Sequence, residues 1–292
     1  MRLLCAIPHF YKKDATPRHG SQGSDISGRI TALRNVLFAL RQLATRSRCV
    51  IDILTRTARP LPDPDPVRVQ IAICTTGPHH LLQDLAVPPH WYQHFPTRAE
   101  ALQLGFECHR ILAEQKNEFD WFVYLEDDIV LRDPQFLGKL AWFTAQAGSG
   151  ALLQPNRYEI SWKGPFLKAY VDGDLAPRVT RPFQDTTSHP VIKGRYLGDD
   201  ITFVRPLNPH SGCFFLNREQ LERWTGGRYF LDRDTSFISP LESAATLSVM
   251  RTFRIYKPAP VNMDFLEVEH QGSGFISLIG RSVGLDPEFG IT

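Results

Sequence analysis

The stretch that most constrains this chain runs from Trp121 to Asp128, WFVYLEDD, where five consecutive apolar or aromatic residues lead without a turn into three acidic ones. Five residues are too few to core a helix, so the run predicts a strand covered on both faces, as in a parallel α/β sheet. Such a strand delivers Glu126, Asp127 and Asp128 to its own carboxyl end, where open α/β sheets bind ligands. Adjacent carboxylates repel one another unless positive charge stands among them, and a hard divalent cation is the simplest partner. Oxygen ligands suit Mg²⁺ or Mn²⁺, with coordination positions left over for substrate phosphates. If the chain stays extended, period-two geometry turns Glu126 and Asp128 toward the ligand and Asp127 away from it. The competing reading is a set of solvated acids opening a loop.

The rest of the chain supplies the other parts of an α/β fold. Leu3 to Ile7 reads as a first buried strand stopped by Pro8, followed by a polar, basic loop from His9 to Ser24 on the presumed ligand side. Ile30, Leu33, Leu37, Leu40 and Ala44 then recur at helical spacing, with Arg29, Arg34 and Arg41 off that stripe and Asp25 or Ser27 able to cap the start. Cys49 to Leu54 and Val67 to Cys74 predict the next two strands, and Thr75, at the end of the second, either meets a ligand or belongs to an ordinary polar turn. His90 and His94 have the i, i+4 spacing of a helical zinc clasp, but the two prolines just before His90 and the lack of a third ligand favour a surface loop. A second helix is expected from Thr97 to about Phe119. It places Arg98 in the first turn, where backbone N–H groups favour a phosphate; a solvated arginine is the alternative.

Beyond the acidic run, helices are expected at Pro134 to Gln146 and from Ser239, and strands at Ala151 to Tyr158, at CFFLN after a turn at residue 212, and finally at Arg254 to Lys257. A short helix is expected between CFFLN and Trp224, and the stretch from Ser161 to Arg195 shows no period and reads as long loops. Ser239-Pro240-Leu241-Glu242 has the S-x-x-E pattern of a capped helix start.

Charge narrows the partners. Thirty-three basic against 31 acidic residues leave +2, which does not suggest nucleic-acid binding. The apolar run at the start is cut by Pro8 and is too short for a secretory signal, and no window approaches the roughly 20 apolar residues of a membrane span, so at most peripheral membrane contact is expected. Five widely spaced cysteines read as buried thiols in a reducing compartment, with the cytoplasm as the expected location. Oligomeric state is not legible.

A strand-borne acidic signature at LEDDI, a preceding helix with an early arginine and a following glycine-containing apolar strand at HSGCFFLN together resemble the nucleotide-sugar glycosyltransferases of the GT-A fold. In those enzymes the acidic signature is usually Asp-x-Asp, and here it is Glu126-Asp127-Asp128. The resemblance implies one continuous domain, with a donor-binding half over residues 1–150 and an acceptor-binding half over residues 151–292. It implies Asp128 as a direct metal ligand, Glu126 on the metal through water or on the ribose, and Asp127 beside them in the donor site. It also implies Pro8, His9 and Phe10 around the base, and His270 as a late metal ligand.

The chemistry so implied is transfer of a sugar from a nucleoside-diphosphate sugar, with UDP favoured, to a hydroxyl of a glycan or glycolipid in polysaccharide or lipopolysaccharide synthesis. An inverting transfer needs a carboxylate base. Glu242 is the first choice, although a capping box explains it equally well. Asp200 is the reserve, with Asp199 and Asp234 behind it. Two alternatives stand: a metal-dependent nucleotidyltransferase, for which Lys12, Lys13, Arg18, Gly20 and Gly23 lack a tight Gly-x-Gly run, and a catalytically silent sugar- or nucleotide-binding protein of the same fold.

Overall fold

A computed structural model describes residues 1–13, 25–44, 48–62 and 66–286. Arg18, Gly20 and Gly23, weighed above as a phosphate loop, lie outside the described residues. In chain order the first half runs β1 (Arg2–Pro8), α1 (Ile26–Leu43), β2 (Cys49–Asp52), β3 (Thr57–Pro60), β4 (Arg68–Thr76), β5 (Gln93–Thr97), α2 (Leu104–Glu114), β6 (Trp121–Leu125), β7 (Ile129–Val130) and α3 (Phe136–Ala147). The second half continues with β8 (Ala151–Leu153), β9 (Asn156–Ile160), β10 (Lys168–Tyr170), α4 (Pro177–Thr180), β11 (Val191–Tyr196) and β12 (Asp199–Val204). It closes with β13 (Cys213–Asn217), α5 (Arg218–Thr225), α6 (Pro240–Thr252), β14 (Arg254–Pro258) and β15 (Glu267–His270).

The central sheet has the order β13-β6-β1-β4-β5. Its β6, β1, β4 and β5 are parallel, and β13 closes the edge antiparallel to β6. Alternation along each strand feeds two apolar layers. Leu3, Cys5 and Ile7 with Trp121, Val123 and Leu125 pack toward α1 and α3. Leu4 and Ala6 with Phe122 and Tyr124 pack toward α2, α5 and α6. Each fully buried aliphatic side chain contributes about 1.5–3 kcal/mol, which is why these runs have no polar face. The result is a mixed α/β fold with a mostly parallel central sheet flanked by helices.

A second sheet, β10-β9-β15-β7, and a third, β11-β12-β14-β8, are built largely from the second half. β7 from the first half pairs antiparallel with β15, and β13 from the second half pairs with β6. Both cross-pairings meet at the acidic run.

Several expectations are corrected. The run after Cys49 does not enter the central sheet: β2 pairs with β3 as a separate, exposed hairpin, because its Val50 and Ile51 have no core to face. The histidine-rich segment contains an edge strand, β5, and not a loop alone. His90 sits in a 3₁₀ turn and His94 in that strand, so they share no helical face. The helix expected from Thr97 starts as a 3₁₀ turn at Ala101 and is α-helical only over α2, since Thr97 belongs to β5. The strand expected at Ala151 to Tyr158 is broken at Gln154-Pro155 into β8 and β9, which join different sheets. The residues read as featureless loops include β10, α4 and β11, and β14 is followed by one further strand, β15. Cys49 is exposed, while Cys5, Cys74, Cys108 and Cys213 are buried thiols. Among the described residues no helix is long and apolar enough to cross a membrane.

Candidate active site

β6 stops at Leu125, and the chain turns immediately: the Ile129 N–H donates to the Glu126 carbonyl at 3.2 Å. The expectation that the acids alternate by strand geometry therefore fails, and each carboxylate meets a different environment.

Asp127 points to buried partners. His9, at the end of β1, places Nδ1 2.6 Å from Asp127 Oδ2, while its Nε2 accepts the Leu81 N–H at 3.1 Å. In the neutral ring the remaining proton is thus on Nδ1 and is donated to Asp127. The guanidinium of Arg29, from the first turn of α1, donates to Asp127 through Nη2 and to Asp128 Oδ2 through Nη1 at 2.9 Å. Burial alone raises the Asp127 carboxyl, but Arg29 and His9 outweigh it and hold it below the usual range.

Asp128 is half-buried and faces outward. Its Oδ2 lies 3.9 Å from Nε2 of His270, the last residue of β15. Nδ1 of that histidine is 2.9 Å from Glu159 Oε1. Glu159 is fully buried, and its other oxygen accepts the Phe275 and Ile276 N–H groups at 2.9 and 2.8 Å. Burial lowers the His270 imidazole pKa, but Glu159 and Asp128 outweigh it and raise it; in the neutral ring, with Nδ1 donating to Glu159, the Nε2 lone pair is free to ligate.

Glu126 is the third environment. It is buried, and its Oε1 has no hydrogen-bond partner. Burial first, and then the Asp128 charge, push its carboxyl well above the ordinary range against the pull of Arg157. A Cβ at Gly212, where φ is +64°, would stand 2.9 Å from Glu126 Oε2, so only glycine lets β13 approach there. Arg157 is itself held at 2.7 Å by Asp172, which also takes Lys257 Nζ at 2.9 Å.

These groups open into a cleft of about 1440 Å³. Of the predicted site residues, Pro8, Phe10, Glu126, Asp127, Asp128, Glu242 and His270 line it, and His9 backs it through Asp127. Glu242 does not close the expected capping box: Ser239 makes no side-chain cap, and its hydroxyl instead donates to Glu242 Oε2.

Three predicted residues lie elsewhere. Thr75 is buried and hydrogen-bonds His94 Nε2 at 2.7 Å within the sheet. Arg98 is exposed, because the first helical turn of α2 lies beyond it. Asp200 is exposed in the β11–β12 hairpin with Asp199, and Asp234 pairs with Arg251 at 2.8 Å. None of Thr75, Arg98, Asp199, Asp200 and Asp234 borders the cleft.

No family model matches the chain, and no curated protein matches it. Among solved structures it is similar to CMP:2-keto-3-deoxy-manno-octonic acid synthetase complexed with CTP, with a TM-score of 0.40 and 12% identity over 93% of this chain and 92% of that one. It is also similar to glucosyl-3-phosphoglycerate synthase from Mycobacterium tuberculosis in complex with Mn²⁺, UDP and glucosyl-3-phosphoglycerate, with a TM-score of 0.34 and 11% identity over 74% of this chain. The chain spans 57% of that structure. At these scores neither likeness bears on the chemistry, which rests on the chain's own residues.

The site also contains residues the sequence reading missed. Arg29 was placed on the solvent side of α1 by its spacing; it reaches the acids because the first turn of the helix overhangs the carboxyl end of β6. Arg157 and Glu159 come from the second half and carry no local motif, and His210 opens the HSGCFFLN stretch, whose sequence marks only a turn and a strand.

The residues fit a divalent cation in part. Among the described residues no three His, Cys, Asp or Glu side chains form a ready ligand set. Two ligands each about 2.1 Å from one ion stand at most about 4.2 Å apart, so the 3.9 Å between Asp128 Oδ2 and His270 Nε2 allows both to reach it. A site with so few protein ligands is completed by substrate phosphates and water, the arrangement hard cations adopt with phosphorylated substrates.

Proposed function

We propose that this chain is a divalent-metal-dependent glycosyltransferase that moves a sugar from a nucleoside-diphosphate sugar to a hydroxyl of a glycan or glycolipid. The observation that supports this most is the Asp128–His270 pair at the wall of a large cleft, with His270 oriented by the buried Glu159. A cation held by Asp128 and His270 would neutralise the diphosphate leaving group. Arg29 holds Asp127 and Asp128 in place and adds positive charge to the same wall. Burial pushes the Glu126 carboxyl up, and in its protonated form it would offer an O–H donor to a ribose or phosphate oxygen.

Glu242 is the base in this reading. Ser239 engages Oε2, and Oε1 has no partner among the described residues, so it can accept the proton of the attacking hydroxyl. The donor side then comprises Pro8, His9, Phe10 and residues 126–128, and the acceptor side comprises Glu242 and the segment after His270. The polysaccharide or lipopolysaccharide setting and a cytoplasmic location follow the same reading.

The test is turnover of a panel of nucleotide sugars with Mn²⁺ or Mg²⁺. Release of nucleoside diphosphate that stops with a chelator supports the proposal. Release of pyrophosphate from a nucleoside triphosphate and a sugar marks a nucleotidyltransferase, and binding without release marks a silent binder. Either outcome overturns it.

A further inference from the structure

The cleft has an apolar rim that the proposed chemistry does not use. β9 and β15 run in parallel register with Glu269 opposite Tyr158, which places the β9–β10 turn just beyond Glu159 and His270. In that turn the Ser161 hydroxyl donates to the Lys163 carbonyl and accepts the Lys163 N–H, leaving Trp162 at the apex, 94% exposed. Ile160 and Leu167 flank it, 43% and 65% exposed. Across the strand end, Phe275 and Leu278 are exposed on the segment that Glu159 ties down.

Basic residues outnumber acids on this rim, with Asp286 just after its second stretch. Residues 160–170, ISWKGPFLKAY, carry Lys163 and Lys168 and no acid, and residues 272–285 carry Arg281 and no acid. Lys168 is engaged by Glu267 at 2.5 Å, whereas Lys163 has no carboxylate partner among the described residues. An exposed tryptophan with aliphatic neighbours and nearby basic side chains is the composition that settles at the headgroup level of a bilayer, the ring buried and the cations facing anionic lipid.

A second exposed apolar feature, Ile53 and Leu54 at the β2–β3 turn, differs in composition and place. It is also basic, with Arg48, Arg56 and Arg59 against Asp52, but it has no aromatic residue and follows the end of α1 that lies away from the carboxyl ends of the strands, far from the cleft.

We propose that the Trp162 turn and the Phe275–Arg281 segment dock on an anionic bilayer surface, holding the cleft against an acceptor anchored in that bilayer. The docking surface stands on its own; the acceptor clause rests on the glycosyltransferase reading.

Co-sedimentation of the full chain with phosphatidylcholine vesicles, with and without phosphatidylglycerol, tests it. The expected result is binding to the anionic vesicles that weakens with salt. Partitioning should fall about ten-fold or more in the Trp162→Ser/Leu167→Ser variant and stay unchanged in Ile53→Ser/Leu54→Ser. Vesicles should also shift tryptophan emission to the blue in the parent chain and not in Trp162→Phe, which replaces one exposed ring by another and is not expected to alter folding.

Absence of binding to any vesicle, binding by the Trp162→Ser/Leu167→Ser variant equal to the parent, or loss only in the Ile53/Leu54 variant overturns the proposal. Vesicle binding is read without donor, and donor turnover without vesicles, so failure of one leaves the other standing.

Discussion

In the proposed mechanism Asp128 carries metal-dependent turnover, because it alone of the three acids is directed at His270. Asp128→Ala should reduce metal-dependent release of nucleoside diphosphate by about 100-fold or more, with the melting temperature nearly unchanged. Retained turnover removes the metal from the mechanism. Arg29 acts differently, since it is the cation that two carboxylates share in a largely buried setting. Arg29→Met should cost about 3 kcal/mol in chemical denaturation, because Asp127 is then left buried with His9 as its only neighbour of opposite tendency. Asp172 supports the site from behind. Burial raises its carboxyl, but Lys257 and Arg157 outweigh burial and hold it well below the ordinary range. A carboxyl depressed on folding stabilises the native state above its unfolded pKa of about 3.9, and that stability is lost as pH falls further. Asp172→Asn should therefore destabilise by about 3–5 kcal/mol at neutral pH, and denaturation curves of parent and variant should converge as pH drops below about 4. A difference independent of pH would exclude the ion pair as its source.

At the scale of elements, the base is placed by a contact between helices. Gly105 in the first turn of α2 meets α6 so closely that a Cβ there would lie 2.4 Å from the Ala244 Cβ and 3.0 Å from the Tyr124 hydroxyl. α6 carries Glu242 two residues before Ala244, so the helix crossing sets where the carboxylate stands in the cleft. Gly105→Ala should destabilise by about 1–3 kcal/mol through overpacking, and kcat should fall more than KM for the donor rises, because α6 and not the donor wall is displaced. Unchanged kcat would separate Glu242 from the chemistry. The same scale explains the errors of the sequence reading. Periodicity detects what faces the core, and β1, β4, β6, α1, α3 and α6 all have strong core faces. β5 lies at an edge with mostly exposed residues, and β2 has no core at all, so neither has a face for a pattern to reveal.

For the whole molecule, the first and second halves of the chain are interleaved. β13 from the second half covers the edge of β6, and β7 from the first half pairs with β15. Unpaired, β6 would expose a fully apolar edge strand beside the catalytic turn. A fragment of residues 1–150 should therefore aggregate or remain unfolded, while the full chain should unfold in one transition followed by both near-UV and far-UV circular dichroism. A soluble, folded fragment would show that the donor half is an independent domain.

What the sequence determined by itself was the strand that ends in acids and its place in a layered α/β fold, because a run of apolar residues without a polar face can be accommodated only between two covering layers. It also marked Asp128, His270 and Glu242 as members of one site, through family resemblance and local motif. Only the tertiary structure decided the rest: that the acids leave the strand and divide three roles, that Arg29 turns inward, and that Glu159 and Arg157 stand behind the wall. Those roles depend on charges brought together from residues 98 to 111 positions apart, and separations of that size leave no trace in local spacing.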